Sequence, residues 1–110
     1  MKNFVQPGDT ITLPAPYAVN GGDGLLVGGI FGIAAHTAAN GADVETVREG
    51  VFNVTTLSTD TAAIGAKLYW DNGNKRLTTT VGSNLLVGVA VAAKAAGATT
   101  ARVLLDGVIR

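Results

Sequence analysis

Between residues 85 and 93, in LLVGVAVAA, large and small side chains alternate: Val87, Val89, Val91 and Ala93 at odd positions, Gly88, Ala90 and Ala92 at even ones. Strand side chains point to opposite faces in turn, so this period of two predicts a strand with one bulky and one nearly bare face. Residues 31–37 repeat the pattern, with Phe31, Ile33, Ala35 and Thr37 set against Gly32, Ala34 and His36. The likeness extends over two longer stretches, 25–52 and 85–109. They align at an offset of 56 residues from Gly32 on Gly88 to Gly41 on Gly97, and at 57 after one inserted residue. The second offset places Glu49-Gly50-Val51-Phe52 on Asp106-Gly107-Val108-Ile109. Each copy reads as an apolar strand, a tight turn at Asn40-Gly41 or Ala96-Gly97, a return strand, and an acid-Gly step into another short strand.

Between the copies, Asn72-Gly73 separates LYW from RLTTT, and Asn-Gly between β-branched and aromatic runs predicts a hairpin. Gln6-Pro7-Gly8-Asp9 reads as a turn into a strand beginning at Thr10, after which Pro14 and Pro16 favour an edge or an extended connector. Thr59-Asp60-Thr61 can cap a helical turn over Ala62 to Ile64, which Gly65 would end. No segment sustains a 3.6-residue period. The expected fold is therefore all-β: a compact sandwich or barrel of short antiparallel strands, with two similar strand-turn-strand units and at most one short helical turn. An extended segment, 1–9, precedes a single β domain, 10–110. The bare face allows another backbone to come close, either a second sheet or a neighbouring subunit, which makes Gly32, Ala34, His36, Gly88, Ala90 and Ala92 candidate subunit-interface residues.

The most apolar stretch, 24–38, invites two other readings, and the residues favour neither. It runs 15 residues where a bilayer span needs about 18 to 20, and its glycines each cost a helix about 1 kcal/mol relative to alanine. NGGDGLLVGG lacks the Lys-Ser/Thr step or the distant acid of a nucleotide-binding loop. No membrane span and no nucleotide cofactor are expected.

Composition narrows the chemistry further. Eight Lys and Arg balance eight Asp and Glu without clustering, so no basic footprint for nucleic acid is present. Cysteine is absent, which removes thiol nucleophiles, thiolate metal sites and disulfides. The first residues, MKNFVQPGDTITLP, lack the apolar core of a secretory signal. The carboxylates fall mostly in turns, where Asp bonds the local backbone. Asn20-Gly21-Gly22-Asp23-Gly24 offers one carboxylate where calcium loops use several oxygen donors. His36, the single histidine, matches Ala92 in the other copy and has no nucleophile or acid in a catalytic spacing. Ser58 and Ser83 likewise lack a histidine partner, Tyr69 and Trp70 read as cross-strand packing, and Lys75-Arg76 as a solvated hairpin pair. No catalytic, metal or cofactor site is expected, and no small-molecule substrate.

Over nearly its whole length, in the order KNFVQPGDTITLP, GIFGIAAH, VREGVF, KLYWDNG and LLVGVAVAA, the chain resembles the small capsid cement, or head decoration, proteins of tailed bacteriophages. The motifs carrying the likeness are Gly8-Asp9, Gly32 to Ala34, Glu49 to Phe52, the LYWD strand and the final G-V-A/V-L-L pattern. The resemblance implies a homotrimeric structural protein, made in the bacterial host cytoplasm, that binds the major capsid protein on the outside of the virion and stabilises joints between capsomers. Other head or tail components, and a small β-module binding carbohydrate or peptide, are the alternatives. For the capsid contact, Lys2, Asn3, Phe4, Val5 and Gln6 precede the Pro-Gly turn and form the candidate binding segment, with Phe4 as the apolar anchor.

Overall fold

A computed structural model describes residues 3–109. Among them run nine strands and no helix: β1 (Thr10–Pro14), β2 (Gly24–Val27), β3 (Ile30–Ala34), β4 (Asp43–Val47), β5 (Glu49–Thr55), β6 (Lys67–Asp71), β7 (Arg76–Thr78), β8 (Leu85–Ala90) and β9 (Thr100–Asp106). They form two antiparallel sheets, ordered β1-β4-β3-β2 and β5-β9-β8-β6-β7. The helical turn after Asp60 does not form. The Asp60 carboxylate accepts instead from the Thr78 hydroxyl at 2.7 Å and the Thr79 N–H at 2.9 Å, which fixes it to the end of β7 rather than to its own following turn.

The two sheets are the same object with one strand added. Ile33 pairs with Val47 and Ala34 with Thr46; Val89 pairs with Leu104 and Ala90 with Val103, at the offsets of 56 and 57 that align the sequences. The equivalence reaches beyond the visible similarity. Thr10 faces Val47 as Val51 faces Leu104, and Gly24 faces Ile33 as Lys67 faces Val89. β1, β2, β3 and β4 thus correspond to β5, β6, β8 and β9, and β7 is the addition. Loop bonds follow suit: Val19 and Ala38 exchange backbone bonds as Ala62 and Lys94 do, and Gly41 and Gly97 turn with φ of 85° and 96°.

Each repeat has an interior, and the two interiors differ in what covers them. Leu25, Ala34, Val44 and Val19 fill the first. Val54, Leu68, Trp70, Leu77, Ala90 and Val103 belong to the second, and this cluster also takes in Ile33, with Leu26 and Phe31 packed against it. β3 is therefore covered on both sides: Ala34 points into its own repeat and Ile33 into the other. The rings of Phe31 and Trp70, 5.0 Å apart and tilted by 52°, mark this junction. In β8 both Val87 and Ala90 lie in the core while Val89, of the same bulky row as Val87, is left half-buried; a register shift against β6 between Leu68 and Tyr69 breaks the simple alternation there. Both strands end at their alanine, before the positions 35–37 and 91–93 that continue the alternation.

The added β7 closes the second sheet on itself. Leu57 N–H donates to the Leu77 carbonyl at 2.9 Å, joining the chain beyond β5 to β7. Between β6 and β7 the Asn72-Gly73 hairpin has a four-residue loop, since Asp71 pairs with Arg76. The Asp71 carboxylate organises it, accepting from Asn74 Nδ2 at 2.8 Å and from the Gly73 and Asn74 N–H groups. Those bonds, the Asn74 amide first, outweigh desolvation and hold its carboxyl below the ordinary value. In the first repeat, which has no counterpart of β7, the Tyr17 hydroxyl donates to the Gly24 carbonyl at 2.5 Å and spans the corresponding gap.

Candidate functional site

The amino-terminal arm is held to the body by one cation. Arg48 lies in the link between repeats; its Nη1 donates to the Gly8 carbonyl at 2.5 Å and its Nη2 to the Gly107 carbonyl at 2.6 Å. Residues 3–7 lie in no strand. Asn3 and Gln6 are exposed, and so are Phe4 (59%) and Val5 (89%). Lys2, the remaining member of the proposed binding segment, lies outside the described residues. Phe4 and Val5 are thus two adjacent apolar side chains exposed to solvent on a segment outside both sheets.

The row of small residues lies in a different setting. Gly32, Ala34, Gly88 and Ala90 are buried within the chain, His36 is exposed and Ala92 half-buried. The backbone that comes close to Gly32 is that of Val47, and the one at Gly88 is that of Leu104, both neighbouring strands of the same sheet. His36 Nδ1 lies 3.1 Å from the Thr37 carbonyl, and its Nε2 is positioned to accept the Glu45 N–H at 3.3 Å.

A second accessible region is the outward face of the second sheet. Val51 and Leu104 are cross-strand partners and are 54% and 40% exposed. Each is the apolar member of an outward row that is otherwise polar: Glu49, Asn53 and Thr55 on β5, and Thr100, Arg102 and Asp106 on β9. That interruption of an alternating row was the readable signal. Next to them Leu86, Val89 and Gly88, with Lys67 and Asp106 at the rim, line a depression of about 120 Å³. A second of about 90 Å³ lies between repeats, where the Lys75 ammonium sits 4.4 Å over the Tyr17 ring. Ligand pockets for small molecules usually run to about 300 Å³ or more, so both are small for that role.

Two charged groups inside the body, Lys94 and Asp60, have structural partners. Lys94, 6% exposed, donates from Nζ to the carbonyls of Ser58 at 3.3 Å, Ala95 at 3.2 Å and Asp60. Burial works against the Asp60 charge, yet the Thr79 and Thr78 bonds and the Lys94 charge outweigh it and hold that carboxyl below its ordinary value. Burial first, and the Asp23 charge second, push the Tyr17 phenol up to about 12. Among the described residues no three His, Asp or Glu side chains gather where a metal could sit.

Two exposed apolar features stand out on this duplicated β body: the Phe4-Val5 step of the arm and the Val51-Leu104 pair on the second sheet. No curated protein and no solved structure matches the chain. A family model described as phage cement protein matches residues 5–105, from the arm through β9. The chain belongs to this family and is a structural protein of the phage capsid.

Proposed function

We propose that the protein, made in the bacterial host cytoplasm, binds the outer surface of an assembled capsid as a homotrimer and stabilises joints between capsomers. The arm, residues 2–6, adds as a strand to an edge of the major capsid protein, with Phe4 as anchor. The observation that carries this reading is the pairing of an exposed Phe4-Val5 step with a fixed exit at Gly8, which Arg48 holds to the body. A symmetric trimer delivers three arms at once, so contacts that are weak singly reinforce one another through effective concentration. No chemistry is required of such a joint.

Deletion of residues 2–6 tests it. The shortened protein should remain folded and trimeric by circular dichroism and native mass spectrometry, yet no longer sediment with purified empty capsids. Undiminished capsid occupancy would overturn the role of the arm, and a monomeric full-length protein would overturn the trimer.

A further inference from the structure

The contact between the two repeats is open-ended. Leu26 and Phe31 pair across β2 and β3 and, with Ile33, cover the core of the second repeat. One repeat later a register shift between Leu68 and Tyr69 buries Val87, the residue at the sequence offset of Phe31, and the residues that take the places of these three on the sheet are Tyr69, Leu86 and Val89, with Tyr69 paired to Leu86 and Lys67 to Val89. Among the described residues nothing covers these three as their counterparts are covered: they are half-buried on the outward face, beside Leu104 and Val51. The other half of the contact is also left over. In the second repeat Phe52, Trp70 and Leu85 belong to or pack on the cluster that receives Phe31. Their first-repeat counterparts, Ile11, Val27 and Ile30, are half-buried apolar residues that no other repeat covers among the described residues.

Stacked repeats ordinarily end in polar caps, because an uncapped terminal face is a docking surface. Here both ends of a two-repeat stack are apolar, and they are complementary halves of a contact the molecule already makes. We propose that copies of this chain join head to tail, the outward face of one second repeat seated against Ile11, Val27 and Ile30 of the next subunit. Each subunit contact then continues the inter-repeat interface, and three chains close a ring of six repeats with no open face. A heterologous contact of this kind closes only if its rotation does, which distinguishes it from a twofold pairing of like surfaces. The inference rests on the trimer proposed above and names the surface that builds it.

The counterpart of the Phe31·Trp70 contact would be Leu86 against Val27 of the neighbour. The chain has no cysteine, so a Leu86→Cys, Val27→Cys double variant can be treated with a short bis-maleimide linker against a clean background. Covalent dimers and trimers should form in the double variant, while each single variant stays uncoupled. A single variant that couples to itself would indicate a twofold contact and overturn the proposal. So would an uncoupled double variant that native mass spectrometry still finds trimeric; that result leaves the capsid role intact, with the trimer built elsewhere. Independently, Leu104→Lys should weaken the trimer by about 100-fold or more, as loss of a central apolar contact does. A Leu104→Lys protein that stays trimeric but no longer binds capsids would assign the face to the capsid protein instead and overturn the inference. A monomeric wild-type protein would remove the trimer reading itself.

Discussion

Gly32 and Gly88 stand at the same crossing in the two repeats, each lying beneath the backbone of the strand that follows its turn. A Cβ on Gly32 would lie 2.8 Å from the Val47 carbonyl oxygen and against the Thr46 methyl; one on Gly88 would lie 2.8 Å from Val103 Cγ2 and against the Leu104 carbonyl oxygen. Backbone cannot rotate aside as a side-chain tip can. Gly32→Ala and Gly88→Ala are each expected to destabilise the protein by about 1–3 kcal/mol. Gly29→Ala, which meets nothing within 4 Å, should change stability by less than about 0.5 kcal/mol. Urea unfolding of the three variants checks the contrast, and equal losses in all three would refute it.

Lys94 replaces with a cation what the first repeat does with a methyl group, since its counterpart is Ala38. Its ammonium gathers three backbone carbonyls of the loop that follows β5 and of its own turn. Lys94→Met retains the apolar stem and strands those carbonyls. The expected cost is about 1.5–3 kcal/mol, the range for hydrogen bonds to a charged group. A shift in the denaturation midpoint at unchanged slope measures it. A variant as stable as the parent would show that the carbonyls find water.

Two groups give the stability a pH dependence at opposite ends of the scale. The Asp60 carboxyl is held below its ordinary 3.8 in the folded protein, so its contribution is present above that value and is lost as pH falls through the folded one. The stability difference between parent and Asp60→Asn should accordingly shrink as acid is added. Tyr17 works the other way. Its phenol is neutral in the folded state up to about 12 while the unfolded chain ionises near 10, so stability declines as pH rises through that window. Tyr17→Phe should lack this decline in chemical denaturation at pH 9 to 11.5. An identical alkaline slope in parent and variant would count against the Tyr17 assignment.

Much of the fold was legible because β structure writes a period of two. The alternation at 31–37 and 85–93, the Asn72-Gly73 hairpin and the aligned Gly41 and Gly97 turns all rest on local geometry. The first two strands of each repeat were not visible as copies: TITLP against VFNVT and GLLV against KLYW share a face-by-face plan but few residues. Pairing register showed it, and register is a long-range property. Which side of β8 faces inward was not legible, for a related reason. Alanine and valine both suit a core, and only the neighbouring strands decide which of Ala90 and Val89 faces it. Arg48 and Lys94 escaped notice because their partners are backbone carbonyls far along the chain, which leave no mark in the residue types. The exposed pair Val51 and Leu104 was readable in principle, as an apolar step in two polar rows, but only once those rows are known to be adjacent.

Arg48 gives the molecule an unusual layout. Its guanidinium reaches the carbonyls of Gly8 and Gly107 together, so the place where the chain enters the body, its midpoint and its exit form one junction. Segments leading away from Gly8 and Gly107 leave the body from one small area. A permuted version, with a short bridge between the old ends and new ends opened at the Asn72-Gly73 tip, would preserve every strand of both sheets.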